Sequence, residues 1–196
     1  MKHIKMLGLA VMAAAALMAF AGSASAAGLV TSPAGSDYTG VIKATATSSL
    51  LLKAGFANIT CTSSTVEGKI ETNDESVASG KISTLSFSNC GSAVVTTFKT
   101  GTLTIDTKAT NEGTVTGNGS EVTVGIPAFG VTCDYGTTGT TDLGVIKSGT
   151  TTTDAVMTIS ANLPLINATG SFGCASPAAW SGTYAVTSPT PLIIDL

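Results

Sequence analysis

The chain has 196 residues, twelve acidic against nine basic side chains and a formal net charge of −3. All nine basic residues are lysine, arginine and glutamine are absent, and the one histidine is His3, near the N-terminus. This argues against nucleic-acid binding, which needs clustered Lys and Arg to neutralise phosphates, and against most histidine- or arginine-dependent catalysis.

In chain order, Lys2, His3 and Lys5 precede an apolar run from Met6 to Phe20, and Ala24-Ser25-Ala26 is a small-residue cleavage site. These are the three parts of a Sec-type signal peptide, residues 1–26, with cleavage expected after Ala26 and a secreted or periplasmic product. The run is shorter than the roughly 20 residues of a transmembrane helix, and no later segment is apolar enough to span. The expected mature chain, 27–196, keeps seven lysines against twelve carboxylates and no histidine, a net charge of −5. Adsorption to anionic lipid by charge is disfavoured for the same reason.

The mature chain then reads as short strands and turns. Leu50, Leu51 and Leu52, followed by Phe56, form its most apolar stretch and read as a fully buried strand, or as the lining for a lipid-like ligand. Glu71, Asp74 and Glu75 crowd five residues, which reads as a solvated hairpin tip in preference to a calcium loop. Leu103 and Ile105, Val122, Val124 and Ile126, and Met157 and Ile159 alternate with polar residues, mostly Thr. That period of two predicts antiparallel strands with one wet face. Asn73-Asp74, Asn111 to Gly113, Gly117 to Gly119 and Tyr135-Gly136 read as turns. The Thr/Gly-rich segment 136–153 reads as a long hairpin or a loop. Thr187 to Pro191 cannot form a central strand, because proline lacks the N–H. Leu192, Ile193 and Ile194 offer a short terminal strand. No long helix is predicted beyond the leader. The expected fold is all-β, an antiparallel sandwich or alternatively a barrel.

The four cysteines, Cys61, Cys90, Cys133 and Cys174, form no CxxC and read as two disulfides of an exported protein. Three connectivities are open. Cys61–Cys90 with Cys133–Cys174 is favoured, since each closes a local loop and makes the two halves alike, at roughly 3–4 kcal/mol per bridge. The segments Phe56 to Cys61 and Phe129 to Cys133 resemble each other, which suggests two similar β modules, about 41–110 and 114–196, within one domain.

Site chemistry is sparse. Histidine triads and histidine zinc sites are impossible in the mature chain. A glycosidase needs a pair of carboxylates. Glu67, Glu71, Asp74, Glu75, Asp106, Asp134, Asp142 and Asp154 are candidates, but most fall in turns or on Thr-covered faces. No catalytic residue, metal or cofactor is expected. Trp180 and Tyr184 fall on one strand face. Core packing accounts for them, and an aromatic patch gripping an apolar or sugar ligand is the functional alternative.

The opening Thr31 to Gly40, the strand ending at Cys61, Leu85 to Cys90, Phe129 to Cys133 and Phe172-Gly173-Cys174 resemble a group of small exported bacterial β proteins. Some of that group are named protein activators of alkane oxidation. The resemblance implies a non-catalytic protein at the cell surface or an apolar interface, assisting use of n-alkanes or other amphiphiles. Its partners would be hydrophobic small molecules or cell-surface components. A structural or adhesive surface module is the alternative, and a carboxylate glycosidase a remote one.

Overall fold

A computed structural model describes residues 28–31, 37–55, 57–74, 76–170 and 173–195. The leader and its cleavage site, the segment 32–36, Phe56, Glu75, residues 171–172 and Leu196 lie outside the described residues.

Among the described residues sixteen strands follow one another. They are β1 (Gly28–Thr31), β2 (Val41–Ala46), β3 (Leu50–Ala54), β4 (Ala57–Cys61), β5 (Ser63–Asp74) and β6 (Val77–Ser88). Next come β7 (Val94–Lys99), β8 (Thr102–Ala109), β9 (Glu112–Asn118), β10 (Glu121–Ile126) and β11 (Val131–Gly136). The last are β12 (Thr141–Lys147), β13 (Val156–Leu163), β14 (Leu165–Thr169), β15 (Ala178–Ser188) and β16 (Leu192–Asp195). The only helical element among them is a 3₁₀ turn, Pro127–Phe129, closed by Gly130 at φ 60°, which reverses the chain between β10 and β11.

The fold is all-β and antiparallel, and of the two architectures compatible with the strand pattern it is the barrel that forms. Eight strands close in the order β2-β5-β6-β8-β9-β12-β13-β15, with β15 pairing back onto β2. Closure leaves no free edge in the ring. Alternation places Val115, Ile105, Ile146 and Ile159 inside, and Thr158, Ser160 and Asn162 of β13 outside. A polar exterior is the inverse of a bilayer-spanning barrel, whose outward band is apolar. Among the described residues no helix is long and apolar enough to cross a membrane. Two glycines let neighbouring strands approach closely. A Cβ on Gly80 would lie 2.1 Å from the Lys69 carbonyl oxygen, and one on Gly144 would lie 2.1 Å from that of Thr158.

The order of strands in the first half recurs in the second. Barrel strands β2, β5, β6 and β8 carry the β3–β4 hairpin after the first and β7 after the third. Strands β9, β12, β13 and β15 carry β10–β11 and β14 at the corresponding points. The two halves meet at the 110–111 turn and share one buried core.

The inserted strands β7, β10, β11 and β14 form a second sheet, ordered β14-β11-β10-β7, while β3 and β4 extend the barrel sheet from β15. At one end, β1 and β16 pair as a cap that buries Leu29, Leu192 and Ile194. Buried Asn73 acts there as a surrogate strand: its amide donates to the Leu29 carbonyl at 2.6 Å, and its Oδ1 accepts from the Leu29 N–H at 3.1 Å. Asn73→Ala strands the Leu29 N–H, while the Leu29 carbonyl keeps the bond it accepts from the Tyr38 N–H at 2.8 Å, and is expected to cost about 1–3 kcal/mol. The urea midpoint measures this, and an unchanged midpoint would count against the cap's dependence on Asn73.

Both disulfides form as paired above, Cys61–Cys90 and Cys133–Cys174. They point to an oxidising setting, extracellular or periplasmic. Three local expectations are corrected. The segment 136–153 holds a barrel strand, β12, because Leu143 and Ile146 have a core to face. Leu50 and Leu52 are buried but Leu51 is only partly so, since β3 has one inner face. Tyr135-Gly136 is no turn: Tyr135 is fully buried within β11 and Gly136 pairs with Glu121.

Candidate functional site

Strands β6, β13 and β15 are long enough to run from the barrel into the space beneath the second sheet. Each therefore lines two different cavities. Ile82, Met157 and Val186 face an apolar cavity of about 60 Å³ in the barrel. Phe87, Leu163 and Trp180, further along the same strands, face a second apolar cavity of about 50 Å³. Tyr184 of β15 lines neither cavity. It lies between Trp180 and Val186, is fully buried, and its hydroxyl donates to Ser64 Oγ at 3.0 Å. Burial pushes its pKa up to about 12, opposed by the Ser64 hydrogen bond, which lowers it.

The second cavity is closed by inward residues of the hairpin, Leu50, Leu52 and Ile59, and by Val122 and Tyr135 of the overlying sheet. Trp180 and Phe87 are half-buried, and their rings meet edge to face at 6.3 Å between centroids. The wall thus reaches solvent at two aromatic rings. Three polar side chains line it. Ser120 Oγ donates to the Thr100 carbonyl at 2.5 Å, and Thr137 Oγ1 accepts from the Ser120 N–H at 2.9 Å. The third, the Tyr135 hydroxyl, is buried with no hydrogen-bond partner among the described residues. Burial raises the Tyr135 pKa, because the ionised form would lose its hydration.

The predicted pair Trp180 and Tyr184 shares one strand face, but only Trp180 lines this cavity. Tyr184 packs in the buried core instead. Tyr135 escaped the sequence reading because Gly136 made it look like a turn residue. The signal was present in Val131, Cys133 and Tyr135, which alternate with Thr132 and Asp134.

Neither cavity is lined by Asp or Glu. Glu71 pairs with Lys81, Asp106 with Lys108, Asp134 accepts from Thr123, and Asp142 caps the Gly144 N–H. Asp74 ends β5 at the exposed tip of the β5–β6 hairpin. No group of three or more metal-ligating side chains occurs among the described residues.

No family model, curated protein or solved structure matches the chain. The functional reading therefore stands on the chain's own geometry.

Proposed function

We propose that this is an exported, non-catalytic protein that binds the apolar part of a small hydrophobic or amphiphilic molecule in the cavity beside Trp180. The observation that carries this reading is the cavity itself. It is apolar, is walled by half-buried aromatic rings and contains, among the described residues, one buried polar side-chain atom left without a partner. Binding sites for small molecules have this makeup, mostly apolar with a few polar groups that fix orientation. The disulfides suit work outside the cytosol, and the resemblance to proteins associated with alkane use points to the same ligand class.

Trp180 is the only tryptophan, so its emission reports on the site. Titration with n-octane or 1-octanol is expected to give a saturable blue shift as water leaves the indole. Unchanged emission, together with no saturable heat of binding, would remove the reading.

A structural or adhesive role has one observation of its own. β7 stands at the edge of the second sheet with Val94 and Phe98 55 % and 68 % exposed, and such edges can add strands from another chain. That role predicts concentration-dependent association that Phe98→Lys abolishes. A protein that sediments as a monomer at all concentrations speaks against it.

A further inference from the structure

We infer that the cavity beside Trp180 takes its ligand polar end first, and that the end it takes is a neutral oxygen, an alcohol or carbonyl held by the Tyr135 hydroxyl. This rests on the binding reading above and narrows it to a ligand class.

Tyr135 is 0 % exposed, lines the cavity, and has the one buried side-chain polar atom among the described residues that lacks a partner. Folded proteins leave few such atoms unpaired, because a desolvated hydroxyl without a hydrogen bond is unfavourable. A site whose buried polar group is satisfied only by the ligand discriminates strongly against molecules lacking the matching atom. Of the other two hydroxyls, Ser120 gives its proton to the Thr100 carbonyl and Thr137 Oγ1 accepts from the Ser120 N–H; only the Tyr135 hydroxyl has no bond of either kind among the described residues.

The charge of the ligand follows from the walls. No lysine lines this cavity. A carboxylate would enter desolvated and unpaired, which is costly. A bare alkane would leave the Tyr135 hydroxyl unsatisfied. A neutral oxygen accepts from that hydroxyl and carries no charge to bury. Size sets a further limit. About 50 Å³ is well below the roughly 150 Å³ apolar cavity that holds benzene. Only the end of a chain fits, and the remainder leaves past the half-buried Phe87 and Trp180 rings.

The test uses the mature, disulfide-bonded protein, titrated calorimetrically at pH 8 with 2-hexanone, 1-hexanol, n-hexane and hexanoate. The ketone and alcohol are expected to bind about tenfold more tightly than hexane, and hexanoate most weakly. Tyr135→Phe is expected to erase the preference for oxygen while leaving hexane binding intact. Its denaturation midpoint should be unchanged or higher, since an unpartnered hydroxyl is removed.

Three results overturn the inference: hexane binding as tightly as hexanone, a preference that survives Tyr135→Phe, or a midpoint that falls. The last would mean that buried water already satisfies the hydroxyl. The failures of the two readings are distinct. If hexane binds and the ketone binds no better, the cavity still binds apolar molecules and only the polar-end inference is lost. If none of the four binds, both readings fall.

Discussion

Truncation of Tyr184 to alanine is expected to cost about 3–5 kcal/mol, as for a large aromatic removed from a packed core. Tyr184 is fully buried on β15, between Trp180, which lines one cavity, and Val186, which lines the other. Tyr184→Phe keeps the ring and loses one buried hydrogen bond, to Ser64, at a cost of about 1 kcal/mol. The two variants also differ in their pH dependence. The folded-state pKa of Tyr184 is raised from 10.0 to about 12. Below pH 10 both states hold the proton and stability is complete. Between pH 10 and 12 the unfolded chain ionises first, so stability falls, by roughly 3 kcal/mol in total. Tyr184→Phe removes this component, while Tyr38 and Tyr135, also raised by burial, continue to act in the same direction. Urea midpoints at pH 8 and pH 11.5 test the point. An equal alkaline loss in wild type and Tyr184→Phe would contradict it.

Removal of the Cys133–Cys174 bridge by paired Cys→Ala substitution is expected to lower stability by about 4 kcal/mol, on chain entropy for a loop of this length. The bridge spans 41 residues and ties β11 to the segment entering β15. It therefore joins the strand carrying Tyr135 to the segment that leads into the strand carrying Trp180. Cys61–Cys90 spans 29 residues and contributes about 3.6 kcal/mol on the same argument. Together they equal much of the roughly 5–15 kcal/mol stability of an ordinary domain. The variant lacking both is expected to lose its cooperative transition and the near-ultraviolet signal of Trp180. A four-cysteine-free protein that melts at the wild-type temperature would show that the core suffices without them.

Much of the fold was legible in residue order. Val122, Val124 and Ile126 alternate with polar neighbours and are all buried, and Leu192 to Ile194 fall in the short terminal strand expected after the prolines. The cysteine pairing was legible because each bridge closes within its half. The candidate site was half legible. Trp180 stood out as the lone tryptophan, and Leu50 and Leu52 as an apolar lining. Tyr135 did not, because a local rule for Tyr-Gly outweighed the alternation running through it.

Local chemistry, acting over a few residues, dictated the strands, the turns, the disulfides and the absence of histidine chemistry from the expected mature chain. Closure into a barrel, the two stacked cavities and the isolation of the Tyr135 hydroxyl came from tertiary structure. Each depends on pairings between distant segments, such as Tyr184 with Ser64 across 120 residues. A period-two pattern tells a side chain which face to take but not which strand will lie beside it, so the volume that two inner faces enclose is decided only when the ring closes.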